Sequence, residues 1–189
     1  MAKLITYSTE DIARLTNTRG GETRLGERIS ILSKVEHASE VNAKYVLLGI
    51  CEDIGVRANY GIGGAYTAWE PALKAVLNVQ VTEKLPAEDI ALLGYLSFAE
   101  EMAAAKGLDP TNANDLKRLR DLVSTIDEQV RIAVSGLFIA GKIPIIVGGG
   151  HNNSYPVLKA FSEAQAAPVN VINIDAHADF RALEGRHSG

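Results

Sequence analysis

The sequence alternates between two hydrophobic patterns along most of its length. Short, mainly apolar runs, as in buried strands, occur at residues 45–50, 90–95, 143–147 and 169–174. Most are separated by segments whose apolar residues recur every three or four positions, as at 66–78, 115–137 and 154–164. The alternation predicts an α/β fold in which a mainly parallel sheet is flanked by helices.

The first part of the chain is more polar. Between Ser8 and Lys34, short apolar repeats lie on either side of Gly20–Gly21 and predict two short amphipathic helices joined by a glycine turn. A long glycine-containing loop is predicted from Cys51 to Ala65, and loops of this length are often functional.

Composition limits the class of protein. A chain of 189 residues is long enough for one domain with a sizeable core, so residues 1–189 are interpreted as a single domain. The single cysteine, Cys51, excludes an internal disulfide and is typical of a cytoplasmic protein. The net charge is -4, with neither a basic cluster nor a membrane-length apolar run, so neither nucleic acid nor a membrane is expected as a partner.

A triplet of chemically active side chains follows the last apolar run. Asp175, His177 and Asp179 are spaced by two, so an extended backbone would point all three to one side. Two carboxylates at such a short distance would repel each other unless a divalent cation lay between them. The triplet therefore indicates a metal site.

A second candidate ligand follows another apolar run. His151 comes after Gly148–Gly150, which allow a tight turn of the backbone. Because ligands bind at the carboxyl ends of parallel strands, His151 is a candidate fourth ligand beside the triplet. The glycines could also form a phosphate-binding loop, although no Gly-Lys-Ser/Thr follows.

The two motifs, 148-GGGH-151 and 175-DAHAD-179, resemble the upstream metal motifs of the ureohydrolases, the family of arginases, agmatinases and formimidoylglutamases. Residues 47–59 with Gly63–Ala65 also resemble the family's first strand and loop. The resemblance implies an arginase-like, doubly wound sheet and two Mn²⁺ ions. His151 and Asp179 would bind one ion, His177 the other, and Asp175 would bridge them. Carboxylate and imidazole ligands without thiolate suit manganese.

The resemblance also implies a reaction. A hydroxide between the ions would attack the planar carbon of a linear amidine, and Asp179 would help to orient it. Arg181 and Gly150 are more similar to formimidoylglutamases than to other members, and Ser188 matches the start of a loop that holds the substrate. The small-molecule substrate expected is N-formimidoyl-L-glutamate, cleaved to L-glutamate and formamide in histidine breakdown.

Family members carry a third metal motif with two further aspartates, which does not occur in these 189 residues. The expectation is therefore an N-terminal part of such an enzyme, truncated at its C-terminus and weakly active or inactive alone. Two alternatives remain, an agmatinase or arginase that releases urea and a non-catalytic metal-binding fold. Because family members are commonly oligomers, a homo-oligomer is also compatible with the resemblance.

Overall fold

A computed structural model describes residues 2–177, and within that range the chain forms a five-stranded sheet flanked by helices. The strands are β1 (Lys3–Ile5), β2 (Ser30–Ile31), β3 (Tyr45–Cys51), β4 (Ile90–Ser97) and β5 (Ile143–Val147). The α-helices are α1 (Thr9–Leu15), α2 (Ile54–Ala58), α3 (Trp69–Leu77), α4 (Ala99–Ala104), α5 (Ala113–Ile139) and α6 (Ser154–Gln165).

The sheet is mixed and mostly parallel, with strand order β1-β4-β3-β5. β3 lies parallel to β4 on one side and to β5 on the other. β1 pairs antiparallel with one end of β4, and β2 pairs parallel with the other end. The carboxyl ends of β3, β4 and β5 therefore meet at one edge, which is where a functional site was predicted.

The two faces of the sheet are covered by different helices, because successive side chains of a strand point in opposite directions. Leu48 and Ile50 of β3 pack in the same buried cluster as residues of α5. Leu47 faces the other way and packs with Trp69 and Leu73 of α3. The predicted α/β fold with helices on both faces is therefore confirmed, in agreement with part of an arginase-like fold.

The three central strands and their helices follow the sequence pattern closely. The apolar repeat of the long helix α5 is buried along one side, and Asn112 accepts hydrogen bonds from the first free backbone N–H groups. Gly141 has a φ of 71° directly after this helix, a conformation that favours glycine. These features confirm the predicted helix and its end.

One glycine is needed for the edge of the sheet. Gly94 lies beside a register shift between β3 and β4 and has a φ of 118°. A Cβ atom at Gly94 would lie 2.0 Å from the carbonyl oxygen of Ile5, so only glycine allows β1 to approach.

Two predicted elements differ from the structure. The second helix expected between Ser8 and Lys34 is a single 3-10 turn, Leu25–Glu27, followed by the two-residue β2. Local backbone hydrogen bonds, such as that from the Arg28 N–H to the Leu25 carbonyl, end after this turn, and the Leu32 N–H donates to the Leu92 carbonyl of β4 instead.

The apolar run at residues 169–174 was predicted as the last strand of the sheet, and this is wrong for the structure. The segment has no regular secondary structure, and Ile172 and Ile174 are 90% and 96% exposed. The chain leaves α6 through Ala166, which has a φ of 49°, and the described residues include no strand paired with 169–174. Without a backbone ladder or a covering layer, the apolar side chains have nothing to pack against.

Within residues 2–177, no helix combines the length and the apolar character that a membrane crossing requires.

Candidate functional site

The loop that follows β5 makes the tight turn expected of its glycines. Gly148 and Gly149 have φ values of 85° and 78°, in the region that favours glycine. His151 then begins a 3-10 turn, His151–Asn153, which leads directly into α6. The turn places His151, which is exposed, at the carboxyl edge of the sheet.

A buried carboxylate fixes this loop to the end of β3. The side chain of Glu52 is fully buried, and its Oε2 accepts a hydrogen bond from the Ile54 N–H at 2.8 Å. Its Oε1 accepts from the Gly150 N–H at 3.0 Å and from the amide of Asn153. We call these interactions the Glu52 clamp. Three donors compensate much of the cost of burying the carboxylate, and they hold the residue before His151 in place.

The clamp leaves no room for a side chain at the second glycine of the loop. A Cβ atom on Gly149 would lie 2.5 Å from Nδ2 of Asn153 and 3.2 Å from Oε1 of Glu52. The glycine is therefore required both by its backbone conformation and by the close approach of the clamp.

Asp53, the next residue, holds the long loop after β3 in place through a hydrogen bond. It is 3% exposed, and its Oδ2 accepts a hydrogen bond from the Gly64 N–H at 2.7 Å. Part of the predicted 51–65 loop forms the short helix α2.

Another acidic side chain lies behind the loop, on α5. Burial raises the pKa of Asp127 to about 7, and the negative charge of Glu52 adds to the rise. The nearby amide of Asn152 and the positive charge of Lys159 oppose it. Asp127 therefore titrates near neutral pH. It lies beside Asn152, the residue that follows His151.

Three of the predicted metal ligands lie close together at this edge. Nδ1 of His151 is 4.0 Å from Oδ2 of Asp175, and Nδ1 of His177 is 3.2 Å from Oδ1 of Asp175. The backbone N–H of His177 also donates to Oδ1 of Asp175 at 2.8 Å, and this bond holds the pKa of Asp175 below its ordinary value. The irregular segment thus brings its acidic residue to the loop after β5.

The arrangement is not a formed metal site. No group of three or more His, Cys, Asp or Glu side chains among residues 2–177 is placed to hold an ion together. Three further residues predicted for the site, Asp179, Arg181 and Ser188, lie outside the described residues.

Sequence reasoning missed the role of Glu52 and its partner Asn153. A signal was present, because Glu52 and Asp53 follow an apolar run just as Asp175 follows residues 169–174. Carboxylates directly after a buried strand point to the functional edge of the sheet.

Residues 64–189 match the family model described as the arginase family. The chain belongs to the arginase family. The match covers two-thirds of the chain and includes both glycine-histidine and aspartate-histidine motifs.

Curated relatives point in the same direction. The chain is 26% identical to a formimidoylglutamase of Aromatoleum aromaticum over 157 residues, which cover 80% of this chain and 42% of the relative. It is 28% identical to a formimidoylglutamase of Corynebacterium efficiens over 159 residues, 84% of this chain and 43% of the relative. A shorter match, 46% identical over 43 residues, is to mitochondrial arginase 1 of Oryza sativa subsp. indica and covers 22% of this chain and 13% of the relative. The chain thus spans less than half the length of these relatives.

Proposed function

We propose that this chain contributes the first metal ligands of a metal-dependent hydrolase of linear amidines. The proposed substrate is N-formimidoyl-L-glutamate, which with one water molecule gives L-glutamate and formamide. Membership of the arginase family and the formimidoylglutamase relatives support this proposal. The 189 residues are proposed to belong to one arginase-like domain.

The observation that carries the proposal is the approach of two sequence motifs at one edge of the sheet. His151 and Asp175 are 24 positions apart in the chain, yet their side chains come within 4.0 Å. The Glu52 clamp fixes the loop of His151, so one half of this pair is held by buried structure.

The chemistry of the donor set fits the metal that arginase-family enzymes typically use. Two imidazoles and two carboxylates, from His151, Asp175, His177 and Asp179, are ligands of the kind that manganese accepts, and no thiolate competes. Bound manganese would activate water as a nucleophile and stabilise negative charge that develops on the substrate. The protein residues would position both partners of this reaction.

The remaining residues have proposed roles toward the substrate. Arg181 would form two parallel hydrogen bonds with a substrate carboxylate, since its guanidinium matches that group in shape and charge. Ser188 belongs to a loop that would hold the substrate, and Asp179 would help to orient the attacking hydroxide.

A product panel tests the proposed reaction. The purified chain, loaded with Mn²⁺, is incubated with isotopically labelled N-formimidoyl-L-glutamate, agmatine and L-arginine, and formamide and urea are measured. We expect slow formamide release that His151→Asn abolishes. The matched control is His37→Asn, because His37 is exposed in the 3-10 turn Val35–Glu40, outside the site. Equal turnover in both variants would contradict the proposal.

The short arginase match supports one alternative substrate class. Urea release from arginine or agmatine, without formamide release, would favour that class. If the chain binds manganese but hydrolyses none of the three substrates, the result would favour a metal-binding fold without catalysis.

A further inference from the structure

A second concave site lies apart from the glycine loop of β5, on the α3 side of the sheet. It is a cavity of about 720 Å³, within the usual range for small-molecule sites. None of the residues 148–151 lines it. We call it the aromatic pocket; its main walls are Tyr7, Tyr66, Trp69, Tyr95, Glu70 and Cys51.

Three rings form a connected aromatic wall. The ring centroids of Tyr7 and Tyr95 are 6.2 Å apart, and those of Trp69 and Tyr95 are 6.5 Å apart. The indole N–H of Trp69 donates to the Tyr7 hydroxyl at 2.8 Å, which fixes the two rings relative to each other. The rings are therefore oriented before any ligand arrives.

The sequence of β3 makes space for this wall. A Cβ atom on Gly49 would lie 2.4 Å from the indole of Trp69, so the glycine allows the indole to lie directly against β3. Trp69 is only 3% exposed and serves as the floor of the pocket, whereas Tyr66 is exposed at its rim.

The charge of the described residues that line the pocket is negative. Asp11 and Arg14 both line it and form an ion pair with each other at 3.5 Å, so the charge of the arginine is matched. The carboxylate of Glu70, which is exposed, remains as the excess charge of the lining. Glu70 also acts electrostatically on two walls of the pocket: burial raises the pKa of Tyr7 and Tyr95, and the negative charge of Glu70 contributes to both shifts.

The neutral groups of the pocket favour the same kind of ligand. Burial raises the pKa of the Cys51 thiol to about 11, so this half-buried side chain is an uncharged wall at neutral pH rather than a nucleophile. The faces of tyrosine and tryptophan rings carry partial negative charge and attract cations within about 6 Å. Aromatic rings are the recognised partners of quaternary ammonium ligands such as choline.

We propose that the aromatic pocket binds a small alkylammonium cation. The aromatic rings would contact its apolar methyl or methylene groups, and Glu70 would balance its charge. The pocket is separate from the described ligands of the proposed metal centre, because none of His151, Asp175 and His177 lines it.

The test uses choline and its uncharged carbon isostere, 3,3-dimethylbutan-1-ol, as probes. Trp69 is the single tryptophan of the chain, so one indole N–H resonance in a ¹H–¹⁵N spectrum reports on the floor of the pocket. We expect choline to shift this resonance in a saturable way at constant ionic strength, and the alcohol to bind at least about fivefold more weakly.

Two variants at exposed positions test the assignment without disturbing the core. Glu70→Gln is expected to weaken choline binding about fivefold, and Tyr66→Leu about threefold. Glu83→Gln, a matched change at an exposed carboxylate that does not line the pocket, is expected to leave binding unchanged. His151→Asn is also expected to leave it unchanged, which separates this site from the metal centre.

Three results would overturn the proposal. The first is the absence of any saturable shift of the Trp69 resonance in the folded wild-type chain. The second is equal affinity for choline and the alcohol, which would make the pocket simply apolar. The third is unchanged choline affinity in Glu70→Gln.

Discussion

Strand β3 and the segment at residues 169–174 have the same kind of sequence but opposite environments. Both are short, mainly apolar segments followed by carboxylates, and residues 169–174 also include Asn170 and Asn173. Leu48 and Ile50 of β3 are fully buried, whereas Ile172 and Ile174 are almost fully exposed. β3 has a hydrogen-bonded neighbour on each side and helices on both faces, and residues 169–174 have no ladder partner among the described residues. An apolar run indicates that burial of the segment would be favourable. Whether the segment is buried depends on the strands and helices that lie beside it.

The difference extends to the two halves of the proposed metal centre. His151 lies on a loop held by the Glu52 clamp and by the end of β5. Asp175 and His177 are exposed, and the carboxylate of Asp175 lies against the imidazoles of His177 and His151. One half is thus prepared by buried structure, and the other rests on surface contacts.

The largest expected effect comes from truncating one isoleucine in each region. Ile50→Ala is expected to lower the free energy of unfolding by about 2 to 5 kcal/mol, because it leaves a cavity in the core. Ile172→Ala, at a 90% exposed position, is expected to change it by less than about 0.5 kcal/mol. Urea unfolding followed by circular dichroism measures both. A large loss in Ile172→Ala would mean that residues 169–174 are buried in solution.

The next effect concerns the Glu52 clamp. Glu52→Gln places an amide N–H₂ where a carboxylate oxygen accepts hydrogen bonds, so at least one buried donor loses its acceptor. The expected cost is about 2 kcal/mol in the free energy of unfolding. Glu88→Gln, at an exposed carboxylate, is the matched control and is expected to be neutral. Equal free energies of unfolding for the two variants would mean that the Glu52 clamp does not stabilise the fold.

A smaller effect is expected from the pH dependence of stability. Because burial raises the pKa of Asp127 to about 7, the folded chain binds this proton more tightly than the unfolded chain. The contribution of Asp127 to stability is therefore full below about pH 4 and is lost as the pH rises to about 7. Asp127→Asn is expected to be more stable than wild type at pH 8 by about 1 to 2 kcal/mol and similar to it at pH 4.

Asp175, an exposed carboxylate in the segment after residue 174, is expected to behave differently from the buried Asp127. The pKa of Asp175 is lowered rather than raised, chiefly by the hydrogen bond from the His177 backbone, and Asp175 is exposed. Asp175→Asn is therefore expected to leave the pH dependence of unfolding nearly unchanged. A pH dependence that Asp175→Asn removes and Asp127→Asn retains would reverse the assignment.

Much of the fold could be predicted because the spacing of apolar residues along the sequence reflects which side of each helix or strand is buried. The runs that became β3, β4 and β5, and the three-and-four repeats of α3, α5 and α6, are confirmed. β1 was missed because three residues beginning with a lysine carry no period, and its pairing depends on the conformation of Gly94. The strand predicted at 169–174 was wrong because burial also requires a partner, which an apolar pattern alone does not record.

The candidate site was predictable to a different extent. The turn at Gly148–Gly149 is confirmed. It could be predicted because a positive φ favours glycine, so such turns are marked by glycines in the sequence. The Glu52 clamp was not foreseen, because two of its three donors, on Gly150 and Asn153, lie about 100 positions away and only the fold brings them to Glu52. The metal ligands themselves stay a prediction.

Manganese titration followed by electron paramagnetic resonance tests the central claim, that His151 and the Asp175–His177 motif bind a metal at one edge of the sheet. Free Mn²⁺ is counted as it is added to the metal-free chain, to His151→Asn and to the control His37→Asn. We expect at least one bound ion per wild-type chain, the same in the control, and at least about tenfold weaker binding in His151→Asn. No bound ion, or equal binding by all three proteins, would contradict it.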